Sequence, residues 1–202
     1  MTSQKTKTAI FISGRGSNMM ALVEAASAPD FPAEIALVVS NDPSAAGLAW
    51  AAERGIRTVA VDHRLFNKDR EAHERAIHGH LTAHGVQFIC LAGYMRILTP
   101  WLVETWNGRM INIHPALLPD FKGLHTHERA IEAAVAEHGA TVHWVTPGVD
   151  EGETILQARV PVFPEDTADV LAKRVLAEEH KLYPEAVRLV LSKPLGEDLT
   201  NL

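Results

Sequence analysis

Cysteine is nearly missing from this chain: Cys90 is the only one in 202 residues, so no intrachain disulfide can form. Its setting in the apolar run Phe88–Ala92 is that of a buried, inert thiol rather than a nucleophile. Dense blocks of lysine and arginine are also missing. The 19 basic residues face 25 acidic ones, for a net charge of −6, and a nucleic-acid surface needs a cationic patch to neutralise phosphates. This excludes nucleic acid as the expected partner. It leaves room for a small phosphorylated ligand, which backbone N–H groups can hold with few cations. Long hydrophobic runs do not occur. Met1 to Lys7 are polar and the apolar stretch that follows stops at Gly14, too short for a secretory leader or a membrane span. A cytoplasmic protein with no membrane partner is expected. Internal repeats, low-complexity tracts and interdomain linkers are absent as well.

A hydrophobic fraction of 47% is enough for one substantial core at this length, so a single domain over 1–202 is expected, with its core in 7–190 and a polar tail in 193–202. Apolar runs at Thr8–Ser13, Ile35–Ser40, Thr58–Val61, Phe88–Ala92, Met110–His114, Thr141–Val145 and Ile155–Val162 read as strands. Helical periodicity marks Asn18–Ala26, Ala45–Arg54 and Arg70–His84. Strands alternating with helices predict an α/β fold, a doubly wound and mostly parallel sheet. From Thr141 onward two strands follow each other around Pro147–Gly152, which predicts an antiparallel hairpin. A long helix follows, with N-cap chemistry at Asp166 and Thr167 and an apolar stripe through Val170, Leu171, Val175 and Leu176. Pro184 either kinks that helix or starts another.

Three segments carry chemistry. Ser13-Gly14-Arg15-Gly16-Ser17-Asn18 follows the first strand and opens a helix, where glycines admit a ligand to the backbone and unpaired N–H groups attract an anion. The dinucleotide fingerprint is ruled out because Met19 stands at its third glycine, and no Gly-Lys-Ser/Thr makes a Walker loop. A plain tight turn capped by Ser17 or Asn18 remains an equal reading. Asn112 and His114 end the fifth strand and, two apart, share a face, where an amide beside an imidazole suits oxyanion stabilisation with proton transfer. Alone, a buried pair that only satisfies backbone groups explains them better. Asp150 lies in a turn and is either an Asx-turn residue or a carboxylate that orients His114 and favours its protonated form. Alternating histidines at His78/His80 and His125/His127 lack cysteine or carboxylate companions and are weak metal ligands. Trp101, Trp106 and Trp144 read as core anchors.

Taken in order, Gly14–Asn18, Gly93-Tyr94-Met95-Arg96-Ile97-Leu98, Asn112–Pro115 with Leu117-Leu118-Pro119, Gly123, Thr141–Asp150 and Glu179-His180 before Tyr183-Pro184 resemble the folate-dependent formyltransferases. The resemblance spans about residues 7 to 190 and is closest to the branch acting on glycinamide ribonucleotide. It implies a Rossmann-like formyltransferase fold and transfer of a formyl group from 10-formyltetrahydrofolate, as cosubstrate, to a small phosphorylated amine without a metal. By resemblance, Asn112, His114 and Asp150 are the catalytic trio. Gly14, Gly16, Ser17, Asn18 and Glu179 hold the ribonucleotide. Arg70, Met95, Arg96, Ile97, Leu98, Asn112 and Thr146 line the folate site. The N-terminal half would then bind the phosphorylated substrate, and the C-terminal hairpin and long helix would close over the folate. The partners implied are small molecules, with a homodimer left open. Glu153 stands where the family often has proline, and Pro147-Gly148 alters the folate loop. A formyltetrahydrofolate hydrolase would carry an extra N-terminal domain, and a methionyl-tRNA formyltransferase an extra C-terminal one. A non-catalytic nucleotide-binding module has no need of the whole trio.

Overall fold

Side chains alternate across a strand. In β1 (Thr6–Ile12), Ile10 and Ile12 therefore point to one side and Ala9 and Phe11 to the other, and all four are fully buried. A strand apolar on both faces belongs in the middle of a parallel sheet. The computed structural model, which describes residues 4–192, places it there. β2 (Ala33–Ser40) lies parallel beside β1, with β3 (Thr58–Ala60) outside it. On the other flank β4 (Phe88–Leu91) and β5 (Met110–His114) continue the parallel run. β6 (Glu137–Trp144) and β7 (Thr154–Pro161) then add antiparallel, giving the order β3-β2-β1-β4-β5-β6-β7. All seven strands read from the sequence are present, and the sheet is doubly wound and mostly parallel as expected.

The two apolar faces of β1 seed two cores. One gathers Ile10 and Ile12 with residues of α1 (Ser17–Ala26), α2 (Ala46–Ala52), α5 (Thr126–Glu132) and α6 (Ala168–Leu191). The other gathers Ala9 and Phe11 with Ile77 and Leu81 of α3 (Arg70–Ala83) and Leu102 of α4 (Pro100–Thr105). Trp106 is buried in the second core, Trp101 packs against it, and Trp144 packs against the first. The strand order switches sides between β1 and β4, the chain adding β2 and β3 on one flank and then β4 and β5 on the other. The carboxyl ends of those strands and of β5 consequently flank a crevice, the place where open α/β sheets receive ligands.

α6 is one continuous helix through Pro184, so that residue starts no second helix. Thr167 caps it by accepting from the Val170 N–H at 3.3 Å, whereas Asp166 is spent on a bidentate pair with Arg174 at 2.6 and 2.8 Å. The buried Tyr183 fixes the helix to the sheet, its hydroxyl donating to the Leu91 carbonyl at 2.8 Å. α4 and α5, six and seven residues long, have no counterpart in the sequence reading. β6 begins at Glu137, ahead of the expected Thr141, since Glu137-His138-Gly139 lacks the branched and aromatic residues that mark strands. The tail expected in 193–202 lies outside the described residues.

Candidate active site

Asn112 and His114 sit at the carboxyl end of β5, and the antiparallel register sets Asn112 opposite His143 and His114 opposite Thr141. His143 donates from Nδ1 to the Trp144 carbonyl at 2.9 Å. Its Nε2 lies 3.2 Å from the Asn112 amide nitrogen. His114 is buried and donates from Nε2 to the Phe121 carbonyl at 3.0 Å, which turns Nδ1 toward Asp150. The Asp150 carboxylate bridges both rings, 3.4 Å from His114 Nδ1 and 3.5 Å from His143 Nε2. It also accepts the Gly123 N–H at 2.9 Å. Burial opposes ionisation of Asp150, but the His143 and Gly123 hydrogen bonds and the two imidazoles outweigh it, holding the carboxyl below the ordinary value. The backbone supports this placement: Asp150 takes φ 52°, a left-handed conformation that Asp tolerates better than most residues. Gly152 then passes so close to the Trp144 carbonyl that no side chain fits.

The structure thus brings together Asn112, His114 and Asp150, and adds His143. The sequence did carry the signal for His143, an imidazole at strand period within Thr141–Val145, but only the β5–β6 register shows that it faces Asn112.

The turn after β1 is built for close approach. Gly16 is the N-cap of α1 at φ 71° and ψ 43°, and a Cβ there would lie 3.1 Å from Met19 Cε. Neither Ser17 nor Asn18 caps the helix, because α1 has no side-chain cap at all. Its first N–H groups remain available to an anion. Asn18 turns away and donates from Nδ2 to Glu179 of α6 at 2.6 Å, leaving its buried Oδ1 unpartnered. Burial pushes the Glu179 carboxyl up, and the Asn18 bond works against it.

A cleft of about 780 Å³ opens beside the trio. Met95, Arg96, Ile97, Leu98 and Thr146 line it together with Asn112, His114 and Asp150. Met95, Ile97, Leu124 and Val149 expose most or half of their apolar surface there, so the cleft presents a greasy rim around a polar centre, the usual make-up of a small-molecule site. Arg70 is not among the lining residues; it is exposed, with Nη1 3.5 Å from the Ile97 carbonyl. The hairpin reaches the cleft through the end of β6 and its turn, His143 and Val145–Asp150, whereas no lining residue comes from β7 or α6, and α6 lies against α1, β6 and β7. Among the described residues, no three His, Cys, Asp or Glu side chains are grouped to hold a metal ion. His127 packs edge-on against the fully buried His138, with ring centroids 5.3 Å apart. Among the described residues, no helix is long and apolar enough to cross a membrane.

The family model described as formyl transferase matches residues 6–187. The phosphoribosylglycinamide formyltransferase of Haemophilus influenzae is 42% identical over 182 residues, covering 90% of this chain and 85% of that protein. The bovine trifunctional purine biosynthetic protein adenosine-3 is 45% identical over 96% of this chain, but the chain spans only 19% of that longer protein. Among solved structures, the Brucella melitensis phosphoribosylglycinamide formyltransferase superimposes with a TM-score of 0.89 at 48% identity, over 96% of this chain and 100% of that one. Glycinamide ribonucleotide transformylase 1 of Symbiobacterium toebii gives a TM-score of 0.90 at 41% identity, over 93% and 88% of the two chains. With the sheet, the turn after β1 and the Asn112–His114–Asp150 group all in place, this chain belongs to the formyl transferase family.

Proposed function

We propose that the protein transfers the formyl group of 10-formyltetrahydrofolate to the amine of glycinamide ribonucleotide, a step of purine biosynthesis. The observation that carries this reading is the meeting of three features at one sheet edge: an uncapped helix N-terminus suited to a phosphate, an amphiphilic cleft suited to a folate, and Asn112, His114 and Asp150 beside the cleft. Relatives that match over most of their length carry the corresponding name. In this reading Gly14, Gly16, Ser17 and Asn18 hold the ribonucleotide phosphate and Glu179 contacts the glycinamide. Met95, Arg96, Ile97, Leu98, Asn112 and Thr146 face the folate, and Arg70, beside the Ile97 carbonyl, reaches it from the rim.

The amine attacks the formyl carbon directly, forming a C–N bond and a tetrahedral oxyanion. Collapse breaks the bond to the folate nitrogen, and the proton lost by the amine ends on that nitrogen. Asn112 and His114 supply the oxyanion donors, each contributing on the order of 3–4 kcal/mol. Asn112 has two amide hydrogens and needs only one for the oxyanion. His114 Nε2 is engaged with the Phe121 carbonyl, so the formyl oxygen must replace that acceptor. Asp150, facing His114 Nδ1, stabilises the imidazolium and can relay the proton through water.

The test is an initial-rate assay of 10-formyltetrahydrofolate consumption with and without glycinamide ribonucleotide. Consumption that requires the ribonucleotide supports the transferase. Consumption without it would mark a hydrolase, and none with either substrate in a folded protein would remove the reading.

A further inference from the structure

Gly93–Thr99 carries six residues of the cleft lining, Gly93 to Leu98, yet belongs to no helix or strand. Irregular backbone holds one shape only when its polar groups find partners elsewhere in the fold. Two side chains outside the cleft do this, one at each end. Upstream, Ser13 donates its backbone N–H to the Gly93 carbonyl at 3.1 Å. Its hydroxyl accepts from the Met95 N–H at 2.8 Å and donates to Asn41 Oδ1 at 2.6 Å. Downstream, the buried Glu74 of α3 accepts from the Thr99 N–H at 2.8 Å and from the Thr99 hydroxyl. Burial raises the Glu74 carboxyl, and the two Thr99 donors offset part of that. A carboxylate taken out of water is tolerated only where its partners compensate, and here both donors belong to the residue that ends the wall and holds the N-cap position of α4. Neither Ser13 nor Glu74 lines the cleft, and formyl transfer as derived above uses neither.

We propose that Ser13 and Glu74 are positioning residues for the formyl donor: they pin the two ends of Gly93–Thr99, so that Met95–Leu98 stand as a preformed wall before the donor arrives. The proposal rests on the cleft being the donor site. Preformation improves binding because the ordering of the segment is complete in the free protein. Loss of a pin should therefore appear in donor binding and leave the bond-making groups at β5 untouched.

The experiment compares wild type with Ser13→Ala, Glu74→Gln and the conservative Ser13→Thr. Steady-state kinetics use 10-formyltetrahydrofolate and glycinamide ribonucleotide, and amide hydrogen exchange is followed on the free proteins. Loss of one such hydrogen bond should raise the donor KM about tenfold in Ser13→Ala and Glu74→Gln. Turnover at saturation should stay within about threefold, and Glu74→Gln should leave the ribonucleotide KM unchanged. The Met95 amide should exchange faster in Ser13→Ala, and the Thr99 amide in Glu74→Gln, with the sheet amides still protected. Ser13→Thr, which keeps the hydroxyl, should recover the wild-type donor KM. Unchanged donor KM in both variants would overturn the proposal. So would a uniform loss of both KM values, turnover and sheet protection, the mark of a merely structural role. A wild type that consumes no folate donor would remove the donor role together with the functional reading, and that failure is recognised in the wild type alone.

Discussion

Asp150→Asn is the substitution that separates the chemistry from the fold most cleanly. Asparagine matches aspartate in volume and is among the few residues that tolerate the left-handed backbone found there at φ 52°. Its side-chain oxygen can still accept the Gly123 N–H, a 2.9 Å contact in the native site. What disappears is the negative charge 3.4 Å from His114 Nδ1 and 3.5 Å from His143 Nε2. A hydrogen bond to a charged partner contributes about 1.5–3 kcal/mol. An oxyanion donor that loses its orientation forfeits a further share of the roughly 2.7–4 kcal/mol assigned to such donors. Together these amount to roughly 3–6 kcal/mol of barrier, or two to four powers of ten in turnover. The assay is steady-state formyl transfer, with KM for each substrate and a thermal melt as control. The expected result is a collapse of kcat with KM values and Tm close to wild type. A variant that keeps turnover within about fivefold would refute the role given to Asp150 and the oxyanion mechanism built on it. Asp150→Ala is the poorer test, because alanine at this φ strains the loop and mixes folding with catalysis.

Gly16→Ala forces a side chain onto a φ of 71° and against Met19 Cε at 3.1 Å, a strain of about 1–2 kcal/mol. The ribonucleotide KM should rise while the donor KM holds, and equal changes in both would dissociate this turn from the phosphate. His138 is fully buried and neither ring nitrogen has a hydrogen-bonding partner. Burial first, then the neighbouring His127, lowers its pKa to about 4. The unfolded chain therefore binds the extra proton between about pH 6.5 and 4, so stability is full above that window and falls within it by on the order of 3 kcal/mol. His138→Leu should flatten the decline of Tm over that window, and an unchanged slope would contradict the assignment. Cys90 is buried with its thiol pushed up to about 12, so iodoacetamide at pH 8 should label it only after denaturation. Labelling of the native protein would show that β4 opens.

The strands were legible because each is short, apolar and bounded by turn residues, and β1 declared its central place by being apolar on both faces. The order of the elements also placed Asn112 and His114 at a carboxyl edge. Their partners were not legible, because contacts across 30 or more residues depend on register. His143 meets Asn112 only through the β5–β6 pairing, and Asp150 reaches His114 through a turn whose φ no composition dictates. Nothing local marks Glu74 among the polar residues of Arg70–His84, and only the packing of α3 shows its carboxylate buried and closed on Thr99. The alternative reading of a helix cap by Ser17 or Asn18 failed for a similar reason, since Asn18 is drawn to Glu179, 161 residues away. Local chemistry could propose the cap, but tertiary contact decided it.

The central claim is that the formyl carbon passes intact from folate to the ribonucleotide amine. The direct measurement is a reaction with 10-formyltetrahydrofolate carrying carbon-13 in the formyl group, in the presence of glycinamide ribonucleotide, with the products resolved by carbon NMR. The account predicts one labelled formamide on the ribonucleotide for each donor consumed and no labelled formate. Label released as formate, or a labelled enzyme that forms before the product, would contradict it.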